Sequence, residues 1–255
     1  MRILFVRHCE PDYEHDSLTP RGFEEAERLR KYLKDRQLGD IYVSPLGRAR
    51  KTAEIVLQER ISEAVTLPWL REFDIEVDCS KDGEMRKFYP DIPKEIVKGR
   101  RCAWDIDPEQ FWSDPLLADN ERWRESRICA ASDMVRLYDS VTAQFDGLLQ
   151  QHGYRREGKL YRADKPNHGT ITLFCHLGVS SVLLAHLNNL SPFVIPQFTC
   201  PAPSALTLVA TEERQQGVAM FRTLYLGALP HLTLAGEEAS FSARFVECYD
   251  DEGRH

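Results

Sequence analysis

Ile3-Leu-Phe-Val6, ending at Arg7-His8, and Ile41-Tyr-Val43, ending at Ser44-Pro45, are short apolar runs that each stop abruptly at polar residues. Runs this short read as buried strands. Between them, Leu18-Thr-Pro-Arg-Gly22 opens an amphipathic helix with Phe23, Ala26, Leu29 and Leu33 at helical spacing. Ser44-Pro45 reads as the N-cap and first position of a second helix, whose apolar face carries Ala49, Ala53, Val56 and Leu57. Val65-Thr-Leu67 is a third strand. The β-α-β-α-β alternation predicts an α/β fold with a parallel sheet covered on both faces.

The rhythm breaks over residues 74–164. This stretch is charged, holds Trp104, Trp112 and Trp123, and shows no clear strand. Its main feature is a helix expected after Asn120, with an apolar face running from Ala131 to Leu149 and Gly153 as its C-cap. The stretch reads as a helical cap inserted into one domain spanning residues 1–255. The sheet resumes at Thr170-Ile-Thr-Leu-Phe174, a helix follows over 179–189, and 205–210 with 218–224 form a closing hairpin.

Composition narrows the function. The 255 residues are 42% hydrophobic and contain no apolar run near the ~20 residues of a membrane span. The apolar start is too short for a secretory leader, so a cytoplasmic protein is expected. With 33 Lys+Arg against 40 Asp+Glu, the net charge of −7 argues against a nucleic-acid partner. It leaves room for a small anionic ligand held by a local group of arginines. The seven cysteines are scattered without a CxxC, so neither a disulfide framework nor a zinc site is implied.

Ligands of open α/β sheets bind beyond the carboxyl ends of the strands. The first strand delivers Arg7 and His8 there, the second leads to Arg48, the third to Glu72, and the strand from Thr170 to His176. Two Arg, two His and one Glu from distant segments thus converge on one edge, a set suited to phosphate.

The chain resembles the histidine phosphatase superfamily, also called phosphoglycerate-mutase-like. Arg7-His8-Cys9-Glu10 is similar to its Arg-His-Gly-Glu block, and Leu18-Thr-Pro-Arg-Gly22 matches its Leu-Thr-x-x-Gly helix start. Ser44-Pro45, Arg48-Ala49 and Thr52-Ala53 match Ser-Pro-x-x-Arg-Ala-x-x-Thr-Ala, and His176-Leu-Gly178 is similar to His-Gly-Gly. The resemblance implies a three-layer αβα sandwich with a mostly parallel central sheet and the helical cap. It also implies His8 as a nucleophile that forms a phosphohistidine, Arg7, Arg48 and His176 as phosphate-binding groups, and Glu72 as the general acid and base. The implied substrate is a small phosphorylated metabolite, the product is inorganic phosphate, and neither metal nor cofactor is called for.

Cys9 replaces the family glycine beside the nucleophile, where a side chain would narrow the pocket. Pro11 and Glu14 stand where the mutase-type motif has Thr and Asn, and Leu177 replaces the first glycine after the second histidine. A carboxylate at position 14 would repel phosphate, so it is expected to face elsewhere. These departures weigh most against a mutase. Cys9 and Cys175 adjoin the two histidines, and an electropositive site would lower their thiol pKa and make them redox-sensitive.

The plainer readings are weighed alongside. Asp74 and Glu76 compete with Glu72 for its role, and Arg50 and Lys51 are as basic as Arg48. His15, His152, His168, His186, His231 and His255 read as structural or surface residues. Arg86, Lys87, Arg100 and Arg101 read as a solvated face, and the three Trp as core of the insertion. A Cys-x5-Arg phosphatase fails because its only candidate, Cys248 to Arg254, encloses Asp250, Asp251 and Glu252. The sequence therefore points to a metal-independent phosphomonoesterase. The alternatives are a phosphoglycerate-mutase-type transferase and a non-catalytic phosphate-binding homologue; the sequence sets no oligomeric state.

Overall fold

The first apolar run forms β1 (Arg2–Arg7), buried along all but its first residue in a computed structural model that describes residues 1–79, 84–89, 100–165 and 167–240. α1 (Pro20–Leu33) starts as its sequence dictates: Thr19 is the N-cap, its side chain accepts from the Gly22 amide at 3.0 Å, and Pro20 opens the helix. β2 (Asp40–Val43), α2 (Gly47–Leu57) and the two-residue β3 (Val65–Thr66) complete the first half. Beyond the insertion come α3 (Met134–Gln151), β4 (Tyr154–Glu157) and β5 (Leu160–Ala163). Then follow β6 (Thr170–Cys175), α4 (Leu177–Asn188), β7 (Leu206–Gln215) and β8 (Val218–Ala228).

The eight strands form one sheet in the order β3-β2-β6-β1-β7-β8-β5-β4. From β3 to β1 every pairing is parallel; from β1 to β4 every pairing is antiparallel. The pleat sends alternate residues of β1 to opposite faces. Leu4 and Val6 pack with Leu29 and Leu33 of α1 and with Ala53 and Val56 of α2. Ile3 and Phe5 belong to the larger core that holds Phe145 and Leu149 of α3 and Val182 and Leu183 of α4. The three expected layers are present.

The insertion differs in detail from its sequence reading. Glu76–Asp78 pairs with Arg100–Cys102, and β4 and β5 join the main sheet as its outermost strands. The sequence hid these strands because Tyr154–Ala163 is charged and lies at an edge, where charge discourages further pairing. The long helix begins at Met134, after a single turn over Arg127–Ala130, and Gly153 follows its end with a φ of +94°. Trp123 is core, Trp104 is half-buried and Trp112 is 66% exposed, so the last departs from the expected buried set.

Among the described residues no helix is long and apolar enough to cross a membrane. Arg100 lies in the short strand, while Cys248, Arg254 and His255 fall outside the described residues.

Candidate active site

The parallel pairing of β1 and β6 brings the two histidines together. Arg7 is level with Cys175, and the His8 amide donates to the Cys175 carbonyl at 3.0 Å. His8 and His176, the next residue on each chain, have ring centroids 5.1 Å apart at 55°. Both are buried. The adjacent strand β2 pairs with β6 on its other side, and the Ser44 amide donates to the Phe174 carbonyl at 2.9 Å.

His8 Nδ1 lies 2.8 Å from the Cys9 carbonyl oxygen. A carbonyl only accepts, so Nδ1 carries the ring proton and Nε2 keeps its lone pair. Burial pulls the His8 pKa well below the ordinary histidine value, and the positive charges of Arg7 and Arg48 add to that effect. The ring is neutral at pH 7. His176 is lowered well below its ordinary value for the same reason, burial first and then its neighbours His8, Arg48 and Arg7.

Arg7 is buried, and its Nη1 donates to the Pro201 carbonyl. Burial lowers its pKa, yet a guanidinium stays charged at neutral pH. Arg48 Nη1 donates to Asp16 Oδ1 at 2.7 Å. Three buried nitrogens, Arg7 Nε, Arg48 Nε and His176 Nδ1, have no hydrogen-bond partner among the described residues. Buried polar groups are almost always paired. Two orphaned guanidinium N–H groups and a third orphaned nitrogen are free to pair with the oxygens of an anion.

Glu72 is half-buried at the rim. Its Oε1 accepts from the amides of Phe73 at 2.8 Å and of Val179, in the first turn of α4, at 3.1 Å. Burial raises its pKa above the usual carboxylate value, while those amides, Arg7 and Arg48 pull the other way. Gly178 permits the approach: a Cβ there would fall 2.7 Å from Glu72 Oε1. Asp74 is on the surface near Arg71, and Glu76 lies in the short strand of the insertion.

The five residues expected from the sequence therefore meet at one edge, and several supporting ones emerge only in three dimensions. Asp16 accepts from the Gly47 amide at 2.6 Å, so it caps α2 from outside, and the helix starts at Gly47 rather than at Pro45. Ser44, read as that cap, instead places its Oγ 2.6 Å from His176 Nε2 and accepts from the Leu46 amide at 3.2 Å. Thr52 accepts from the Cys9 amide at 3.0 Å and donates to the Arg48 carbonyl at 2.9 Å, tying β1 to α2. Exposed Tyr13 has its ring centroid 5.3 Å from the Arg48 guanidinium carbon.

Two consequences of the unusual residues come out differently from expectation. The Cys9 side chain turns away into a small cluster with Leu18 and Ala26, so it does not narrow the pocket. Burial raises both thiols, helped by the charge of Glu25 at Cys9 and of Glu72 at Cys175, and outweighs the Thr52 hydrogen bond at Cys9 and Arg7 at Cys175, so the expected lowering is reversed. Glu14 is exposed, in line with its expected outward direction. Of the remaining histidines, His186 bonds Asp146 at 2.9 Å, His231 lies 2.9 Å from Ser204, and His15 bonds Asp12 on the surface.

Fold and site together define an α/β protein whose strand ends build a pocket of histidines and arginines. Residues 3–112 match the model of the histidine phosphatase superfamily, branch 1. Over that stretch the chain is similar to the histidine phosphatases and includes the first three of its four sequence blocks; the His176 block lies beyond the match. It is 30% identical over 138 residues to the probable 2-carboxy-D-arabinitol-1-phosphatase of Arabidopsis thaliana, covering 50% of this chain and 27% of that protein. It is 25% identical over 158 residues to the probable phosphoglycerate mutase GpmB of Proteus mirabilis, covering 58% and 63%. The chain therefore spans less than two thirds of the length of either relative. A phosphoserine phosphatase structure from Entamoeba histolytica superposes with a TM-score of 0.52 at 15% identity, covering 91% of this chain and 98% of that one.

Proposed function

We propose that the protein is a metal-independent phosphomonoesterase that acts on a small phosphorylated metabolite through a phosphohistidine on His8. The observation that carries this reading is the bond from His8 Nδ1 to the Cys9 carbonyl, which leaves Nε2 unprotonated beside two arginines. Similarity to a phosphatase and a mutase supports phosphoryl chemistry in general.

In the first step His8 Nε2 attacks phosphorus, the P–O ester bond breaks, and Glu72 gives its proton to the departing alkoxide. A carboxyl with a raised pKa suits that task. In the second step the Glu72 carboxylate takes a proton from water as the water oxygen attacks phosphorus. The P–N bond breaks and inorganic phosphate leaves. Arg7, Arg48 and His176 spread the charge of the equatorial oxygens through their orphaned N–H groups. A phosphate thus satisfies donors that the protein alone leaves unpaired.

The test is p-nitrophenyl phosphate hydrolysis in the presence of a chelator, comparing the native chain with a folded His8→Ala variant. Turnover lost only in the variant supports the reading. Equal turnover in both removes His8 as nucleophile. No turnover in either chain, followed by isomerisation of phosphoglycerate with a bisphosphoglycerate primer, selects the mutase; phosphate binding without either reaction selects a non-catalytic homologue.

A further inference from the structure

At the opposite end of β1 from the catalytic residues, the sheet carries a second cleft of about 700 Å³. Arg2 opens the strand that Arg7 closes, and five residue steps separate them, roughly 17 Å of extended chain. The cleft is lined by the C-terminal end of α1 and by residues of β1, β7 and β8. Its walls include Arg2 and Arg36, Tyr32 and Tyr225, and Leu33 and Leu208. A volume of this size accommodates a small organic ligand.

The charge of this cleft is its clearest feature. The chain has 40 acidic residues and a net charge of −7, yet no Asp or Glu lines the cleft. Among the described residues Arg2 has no side-chain partner. Arg36 lies 4.0 Å over the Tyr32 ring and donates only its Nε, to the Tyr32 carbonyl at 3.1 Å. Its two Nη groups have no acceptor among those residues. Burial raises the Tyr225 pKa, and the charges of Arg36 and Arg2 oppose that rise, so both guanidiniums act on one hydroxyl. Two guanidiniums lining one cleft that has no carboxylate in its walls invite an anion, and a guanidinium fork fits phosphate through paired hydrogen bonds. The leucine floor and the Tyr225 ring, 38% exposed, offer apolar contact to the remainder of such a ligand.

We propose that this cleft is a second ligand site, separate from the catalytic pocket, which binds a nucleoside monophosphate: its phosphate on Arg2 and Arg36, its base against Tyr225 and the leucines. The catalytic reading is not needed for this assignment, because no catalytic residue lines the cleft.

The test is calorimetric titration with adenosine monophosphate in a His8→Ala background, which prevents turnover from obscuring binding. Adding Arg2→Gln with Arg36→Gln is expected to weaken binding at the cleft by about tenfold or more, whereas adding Arg48→Gln removes only the heat of any monophosphate held in the catalytic pocket and leaves binding at the cleft unchanged. Adenosine, lacking the phosphate, is expected to bind at least about tenfold more weakly than the monophosphate. The proposal is overturned if the Arg2/Arg36 pair can be replaced without effect, if Arg48→Gln alone abolishes binding, if adenosine binds equally well, or if millimolar monophosphate gives no heat. Arg2 and Arg36 are both exposed, and Arg36→Gln alone, checked by its melting temperature, is the second variant that keeps the test valid should the double replacement not fold.

Discussion

Asp16 holds Arg48 from two sides at once. Its Oδ1 accepts from Arg48 Nη1 at 2.7 Å, while its Oδ2 accepts from the Gly47 amide at 2.6 Å, at the start of the helix that carries Arg48. The residue adopts a φ of +44°, a conformation that Asp and Asn tolerate better than most. It thus fixes both the helix end and the guanidinium beside the two histidines. Asp16→Gly keeps the backbone unstrained and removes both bonds. The expected loss is about 1 kcal/mol of stability from the missing cap, read as a melting-temperature drop of about 2–4 °C. KM for a phosphomonoester should rise in the same variant, because Arg48 is less well oriented. Asp16→Asn has a single acceptor oxygen and so should keep only one of the two bonds, falling between the native chain and Asp16→Gly. Steady-state kinetics and thermal melts on the two variants check this pairing.

The pH dependence follows from two opposite shifts. His8 has its pKa well below 6.5, so its ring keeps a free lone pair at pH values where an ordinary histidine is protonated. Glu72 has its pKa raised above 4.5, so its acid form persists to higher pH than an ordinary carboxyl. A plot of kcat/KM against pH should be bell-shaped, with the acid limb below pH 6.5 from His8 and the alkaline limb from Glu72. Glu72→Gln should lower the rate and remove the alkaline limb, whereas retention of that limb would assign it to another group. Stability carries its own signature. The unfolded chain binds protons at His8 and His176 that the folded chain refuses, so stability falls as pH drops below the unfolded value near 6.5. Glu25, raised to about 7 by burial, works in the reverse sense: the folded chain keeps its proton, and that contribution is lost as pH rises from about 4.5 to 7. Denaturant titrations across pH 4–8 of the native chain and of Glu25→Gln, which lacks the second contribution, separate the two.

Gly178 makes room for Glu72. A methyl group at position 178 would lie 2.7 Å from Glu72 Oε1, 3.1 Å from the Trp104 ring and 3.2 Å from the Phe73 carbonyl. The backbone carbonyl cannot yield easily, so the carboxylate must move. Gly178→Ala should therefore lower kcat by about tenfold to a hundredfold, since displacements on the scale of an ångström cost that much at a reacting group. KM should change little, because Arg7 and Arg48 are untouched. An unchanged kcat would separate Glu72 from the chemistry.

The parts of the site that the sequence made legible are those set by strand ends. Arg7, His8 and His176 follow apolar runs directly, and their meeting needs only β1 and β6 to be neighbours. Arg48 is legible from its offset after Ser44-Pro45, although Ser44 is not the cap of the helix that carries it. A Ser-Pro pair is locally a good cap, yet Ser44 spends its hydroxyl on a histidine 132 positions away, a partner no local pattern reveals. The actual cap, Asp16, approaches from a different turn and leaves no periodic signal. Cys9 was legible as a departure from the family pattern but not in its effect, because the direction of its side chain depends on the small cluster with Leu18 and Ala26. In the fold, the parallel half of the sheet was readable from its apolar runs. The antiparallel edge at β4 and β5 was not, because each strand is only four residues long, is charged, and buries a single large side chain, Tyr154 or Tyr161, too little to set up a period.

The 2.6 Å contact between Ser44 Oγ and His176 Nε2 gives the last prediction. Ser44 accepts from the Leu46 amide, so its hydroxyl hydrogen is available to turn toward Nε2. With Nε2 accepting, Nδ1 carries the ring proton, and Nδ1 is the buried atom without a partner in the pocket. On the proposed function, Ser44 would thus supply a donor for the phosphoryl oxygens by fixing the tautomer of another residue. Ser44→Ala should leave the other tautomer accessible and lower kcat by about tenfold, the factor that about 1.4 kcal/mol of lost transition-state bonding produces. It should also cost about 1–3 kcal/mol of stability, because Nε2 becomes a second unpaired buried atom. Ser44→Thr, which retains the hydroxyl, should restore part of the rate if its methyl is accommodated. Nitrogen chemical shifts of His176 decide the mechanism: a native ring protonated at Nδ1 that becomes a mixture in Ser44→Ala supports it. An identical tautomer in both chains would leave Ser44 a packing role only.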